Sequence, residues 1–157
     1  MRHKSELVEV NYSGESGASS AWKAEYNAAQ AFKPESGGLW ISHGLPATIW
    51  YHFNYNFSLA KISFTSRTNN RNSGDWAQAP KTFNVVGSHD CSNWHVLKSV
   101  TNANFDAPGQ TKMWNIPCEN QKSYECYGIQ AVGWRNCVSL TNIQMMMGKI
   151  NVLKNGV

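Results

Sequence analysis

The chain has 157 residues, enough for one domain with an ample core and little room for a second. Hydrophobic residues make up 41% but charged residues only 15%, well below the roughly 25% usual in soluble proteins. Asn, Ser, Thr and Gly fill the polar positions, a surface suited to neutral polar ligands. A net charge of +4 without any Lys/Arg run argues against a nucleic-acid groove, and no apolar stretch approaches the roughly 20 residues of a membrane span.

The opening MRHKSELVEV lacks the apolar centre of a signal peptide, so the chain is either cytosolic or a mature form that follows a removed leader. Residues 1–18, Gly/Ser-rich in NYSGESGASSAW, read as an irregular start to a single domain over 1–157; AEYNAAQAF then predicts one short helix or turn. From Leu39 the pattern becomes short apolar runs: LWIS, ATIWYHF, AKISFTS, KTFNVVGS, WHVLKSV, KMWNIP, YGIQAV and SLTNIQMMM. Gly, Pro, Asn, Ser or Asp separates each from the next, the pattern of an all-β antiparallel sandwich or barrel. In KTFNVVGS, Lys81, Phe83, Val85 and Gly87 alternate with Thr82, Asn84, Val86 and Ser88, the period of a half-buried strand, and SHDCSN supplies the turn before Trp94. Trp40, Trp50, Trp94 and Trp114 lie in or beside these runs and are expected in the core. Two long polar loops remain, 68–78 and 102–110; such loops in a compact domain are more often functional than mere connectors.

Catalysis finds little footing. The ten Asp and Glu residues are dispersed, and no G-x-S-x-G, HExxH or P-loop occurs. The five histidines form no metal-ligand spacing, and His89-Asp90 reads as an exposed His beside a turn-forming Asp. Cys91, Cys118, Cys126 and Cys137 are even in number, with spacings that fit neither a zinc ribbon nor a redox CxxC, so at least one disulfide is expected among them. Four cysteines allow three pairings; Cys118 and Cys126 are the nearest in sequence, and the alternative is free thiols in a cytosolic core. The disulfide reading favours an extracellular, secreted protein.

Sugar recognition needs an aromatic ring to stack on the C–H face of a pyranose and planar polar groups to fix its hydroxyls. Two segments hold that mixture. Arg67 to Trp76, RTNNRNSGDW, combines two arginines, three asparagines, an aspartate and a tryptophan, and Gly133-Trp134-Arg135-Asn136 repeats the theme before Cys137. Each has a plainer alternative: Arg67 closing a strand end, Trp76 lying back on the sandwich edge, Trp134 packing beneath a disulfide.

The order of IWYHFNYNFSLAKISFTSR, then APKTFNVVGSHDCSNW with WHVLKSV, then CYGIQAV and SLTNIQMM resembles the discoidin, or coagulation factor 5/8 type C, family over about Ser19 to Met147. The resemblance implies an antiparallel, jelly-roll, galactose-binding-like β-sandwich whose members are mostly binding modules and not enzymes. It implies ligand residues in end loops, here His43, Arg67, Asn69, Asn70, Arg71, Asp75 and Trp76, with Trp134, Arg135 and Asn136 as partners. It also implies a structural calcium in many members, held by first-loop carbonyls and carboxylates. Here Lys33 and Gln144 stand where acidic ligands are expected, leaving Glu35 as the one metal candidate and no other cofactor.

The function expected is a non-enzymatic lectin module for a neutral, galactose-type glycan. The alternative is a phospholipid-membrane-binding or protein-adhesion module of the same fold, although the polar tips of loop 67–78 are thin for membrane insertion. A weak single site gains through multivalency, so a homo-oligomer is expected.

Overall fold

The structure is a computed structural model and describes residues 6–32, 38–68, 75–133 and 137–148. Among the described residues nine strands carry the fold: β1 (Leu7–Glu9), β2 (Glu15–Ala18), β3 (Trp40–Ile41), β4 (Ala47–Thr65), β5 (Thr82–Ser88), β6 (His95–Val100), β7 (Thr111–Asn115), β8 (Ser123–Gly133) and β9 (Ser139–Gly148). Every apolar run read from the sequence lies on a strand. The helical segments among the described residues are short 3-10 turns at Ala24–Tyr26, Ala28–Phe32, Asp75–Gln78 and Cys118–Asn120, the first two within the stretch expected to form a helix or turn.

All pairings are antiparallel, and they form two layers joined through β4. One layer runs β2-β4-β8-β5-β6, the other β1-β9-β4-β7 with β3 extending β9. Straight, the 19 residues of β4 would run about 60 Å, longer than a domain of this size is wide. The strand instead shifts register between His52 and Phe57 and doubles back: Ala47–Ser58 pairs with β8 and Leu59–Thr65 with β9. The run NYNFSL contains neither Gly nor Pro, so the chain bends within the sheet rather than leaving it. Tyr127 secures the reversal. Its hydroxyl accepts the amides of Leu59 (3.3 Å) and Tyr124 (3.2 Å) and donates to the carbonyl of Phe57, with that of Lys122 also in reach at 3.0 Å.

Alternation on β4 sends Ile49, Tyr51 and Phe53 inward, where rings from Tyr12, Phe32 and Phe57 meet Tyr51 and Phe53 at centroid distances of 4.8 to 5.8 Å and Tyr127 packs on Phe57 at 4.8 Å. A second aromatic group, Phe64, Phe83, Phe105 and Trp114, fills the other end of the core with centroids 4.9 to 6.2 Å apart. Burial pushes the Tyr127 phenol up to about 12, only partly offset by the amides that bond its oxygen, and burial raises Tyr12 and Tyr51 as well. An unfolded tyrosine titrates near 10, so this stabilisation is complete below about pH 10 and is lost as pH rises through about 12. Tyr127 alone should remove up to about 1.4 kcal/mol per pH unit in that window. Denaturant midpoints measured at pH 9, 10 and 11 (about these values) check it: a flat profile would place these rings in water.

The structure corrects the sequence reading in several places. Residues 1–18, expected to be irregular, supply β1 on the open edge of β9 and β2 on the edge of β4, because tertiary pairing overrides a Gly/Ser-rich local signal. The glycines serve that approach: a Cβ on Gly14 would lie 1.8 Å from the carbonyl oxygen of His52. Trp40 is fully buried and Trp114 packs on the core as expected, but Trp50 and Trp94 are only partly buried and stand outside it. Burial in Thr82–Ser88 stops alternating after Val85: Val86, opposite Gly128 on the other face of the layer, is buried too, beside a register shift against β6. The loop 102–110 is a structural buttress, with Ala103 buried and Phe105 stacked on Phe64 at 5.4 Å.

The disulfide joins Cys91 to Cys126, with Cα atoms 5.5 Å apart, and not the sequence neighbours Cys118 and Cys126. Cys126 lies opposite Ser88 at the end of β5, and the turn after Ser88 brings Cys91 back over it, whereas Cys118 sits exposed in a 3-10 turn. Asp90 organises that turn, accepting from Ser88, Ser92 and Asn93 at 2.7 to 2.9 Å, bonds that hold its carboxyl below the usual carboxylate range. Cys137 is half-buried. With a sequence separation of 35 between the paired cysteines, the chain-entropy relation puts the bond at about 3 to 4 kcal/mol. Thermal melts with and without reductant should differ by roughly 6 to 16 °C; equal melts would mean that the bond contributes nothing.

Candidate functional site

The strand register brings the described flanks of the predicted loops to one end of the sandwich. Ala47 pairs with Ala131 and Thr65 with Thr141, so both ends of the doubled β4 lie beside the residues that bracket the β8–β9 connection. β5 begins at the same end, Thr82 opposite Gly133, and β3 closes there with Ile41 opposite Ser139. Ser42 and Val138 exchange backbone and side-chain bonds: Ser42 N–H donates to the Val138 carbonyl and Val138 N–H to Ser42 Oγ, both at 2.9 Å. His43, one residue on, therefore stands near Val138. Its side chain is exposed, and its amide donates to Ser20 Oγ at 3.0 Å.

The base of the loop that follows β4 is rigid. Ser66 is fully buried and tied to residues 107–110 by four bonds. Its N–H donates to Gln110 O (2.9 Å), its hydroxyl donates to Ala107 O (2.7 Å) and accepts from Gln110 N–H (3.0 Å), and its carbonyl accepts from Gly109 N–H (3.2 Å). Gly109 takes φ +65, and a side chain there would meet Thr68 at 2.9 Å, so the close approach needs glycine. Arg67 is 4% exposed and donates from Nη1 to Gln78 Oε1 at 3.0 Å, which ties the end of β4 to the 3-10 turn Asp75–Gln78. The contact is side chain to side chain, not a bond to backbone carbonyls at the strand end. Trp76 is half-buried in the same turn, its carbonyl accepting from Ala79 N–H at 3.1 Å.

His43, Arg67, Asp75 and Trp76 are among the described residues; Asn69, Asn70, Arg71, Trp134, Arg135 and Asn136 lie outside them, although their described neighbours border the same end. Glu35 also lies outside. The described residues hold no cluster of three His, Cys, Asp or Glu side chains able to bind a metal. At the flank of the first loop, the Thr141 hydroxyl donates to the Gly38 carbonyl, and Gln144 donates its amide to Asn142 Oδ1 at 3.4 Å.

Sequence reasoning missed Ser66, Gln78 and Ser42, the groups that hold the loops in place. Small polar residues at strand ends carry no local signal, because their partners lie up to 96 residues away. A groove of about 480 Å³ lies elsewhere, along the open edge of β2 between Ser16, Gly17 and Ala18 and the turns near Asn27 and Ala28.

No family model and no curated protein matches this chain in sequence. Solved structures do match in three dimensions. The F5/8 type C domain of a Bacteroides fragilis protein superposes with a TM-score of 0.74 at 14% identity, covering 92% of this chain and 98% of that one. A family 32 carbohydrate-binding module of Clostridium perfringens NanJ, in complex with galactose, gives 0.67 at 14% identity over 89% and 98% of the two chains. Chitosan-binding module 2 of a Paenibacillus sp. IK-5 chitosanase/glucanase, in complex with chitotriose, gives 0.66 at 14% over 84% and 95%. The chain therefore has the galactose-binding-like antiparallel β-sandwich fold of F5/8 type C domains and family 32 carbohydrate-binding modules, the fold that the resemblance in its sequence implied.

Proposed function

We propose that this protein is a non-catalytic carbohydrate-binding module that recognises a neutral, galactose-type glycan through the loops at one end of its sandwich. The observation that carries the reading is the convergence of His43, Arg67 and Trp76 on that end, with loop bases fixed by Ser66, Gln78 and Ser42. Fixed loop bases lower the conformational entropy lost on binding, which matters for a ligand that offers only a few hydroxyls and one apolar face. The family 32 module solved with galactose supports the sugar class. Segments 67–76 and 133–136 supply the aromatic and planar polar groups by composition. The disulfide supports an extracellular setting, and multivalency through a homo-oligomer would raise the avidity of a shallow site.

A glycan array run with calcium and with chelator, alongside liposomes containing anionic lipid, tests the class. Selective binding of galactose-terminated glycans, unchanged by chelator and without liposome retention, is the expected result. Liposome retention without glycan selectivity would transfer the end loops to a membrane role, and silence in both assays would leave protein adhesion as the reading.

A further inference from the structure

The indoles of Trp50 and Trp94 lie outside the core. Ile49, Tyr51 and Phe53 face inward, so Trp50 points out from the layer β2-β4-β8-β5-β6, where Trp94 meets it at a centroid distance of 5.7 Å and a tilt of 51°. Register sets a row of apolar residues straight across that outer face, Gly17, Trp50, Gly128, Val86 and Val96; Gly128 and Val86 are buried within it, and Trp50, Trp94 and Val96 carry the part that reaches solvent. Four interstrand spacings make the row about 19 Å long. The glycines let the first indole lie flat on the sheet, since a Cβ on Gly17 would come within 2.6 Å of the Trp50 ring and one on Gly128 within 2.9 Å of its Cβ.

An uncharged polar row runs alongside, Thr48, Gln130, Asn84 and Ser99, with the Ser99 hydroxyl donating to Asn84 Oδ1 at 2.7 Å. On the other side His52 Nε2 and Glu125 Oε2 form a pair 2.7 Å apart. The groove along β2 opens from the same Gly17. Trp94 directly follows the turn that Asp90 organises and Cys91–Cys126 staples.

We infer that this face is a second carbohydrate-contact surface, which takes the extended chain of a neutral polysaccharide laid across the strands. The inference rests on the glycan-binding reading for the class of ligand only, since it shares no residue with the end loops. Two adjoining indoles offer stacking faces for successive sugar rings, and the amide and hydroxyl row offers donors and acceptors to their edges. The absence of charge along both rows selects a neutral chain over a nucleic acid or an anionic membrane.

Affinity electrophoresis in gels containing galactan, galactomannan or xyloglucan, paired with titration of free galactose, tests the surface. The protein should be retarded by at least one of these polymers. Trp94→Ala should weaken that retardation at least about fivefold while galactose binding stays unchanged, and Trp94→Phe should recover part of it. Val96→Asp places a charge on an exposed position of the row and should act likewise without lowering the melting temperature, so a Trp94→Ala protein that folds poorly does not end the test. Retardation by no polymer, or retardation unaffected by both Trp94→Ala and Val96→Asp, overturns the surface. Loss of galactose binding in the parent protein with Trp94-dependent polymer binding kept would instead overturn the end-loop site and leave this one standing.

Discussion

Tyr127→Phe should lower the stability of the domain by about 2 to 4 kcal/mol, a fall in melting temperature of roughly 4 to 16 °C. The phenol has one proton and two lone pairs, and all three are used where β4 reverses: two amides donate to it and a carbonyl receives its proton. Phenylalanine keeps the ring packing against Phe57 at 4.8 Å and leaves the Leu59 and Tyr124 amides buried without that acceptor. The reversal lies at the far end of the strands from the loop cluster, so glycan affinity of the folded protein should hold. A calorimetric melt of the variant beside the parent checks this, and a shift under about 2 °C would mean that water replaces the hydroxyl.

Trp76→Ala should weaken binding of the recognised glycan by about 1 to 3 kcal/mol, roughly 5- to 150-fold, with little change in melting temperature. The ring is half-buried on a surface turn, so truncation removes a stacking face and little core. Arg67→Ala behaves differently from what its place in a polar loop suggests. Its side chain is 4% exposed and bonded to Gln78, so the variant should lose stability together with binding, and Trp76 is the cleaner probe. Titration calorimetry and a melt on each variant separate the two effects. An unchanged affinity for Trp76→Ala would move recognition away from this turn.

The two-layer architecture was legible because period-2 patterning and turn residues act locally, as in ATIWYHF, where the inward residues Ile49, Tyr51 and Phe53 alternate with outward ones. The same alternation already placed Trp50 on the outer face, and hydrophobicity alone, which put it in the core, was the poorer guide. Cross-chain features were illegible. β1 and β2 exist because β9 and β4 have open edges, and Cys91 finds Cys126 because a turn returns over β5. For the site, composition marked the loop after Arg67, but the fastening of that loop by Ser66 to residues 107–110 depends on a contact some 40 residues distant.

The most direct measurement is an amide chemical-shift titration of isotope-labelled protein with free galactose. The account predicts saturable shifts concentrated at His43, Arg67 and Asp75–Gln78, extending into residues 133–138, with the far-end reversal around Phe57 and Leu59 silent. An absence of saturable shifts, or shifts confined to other parts of the domain, would contradict it.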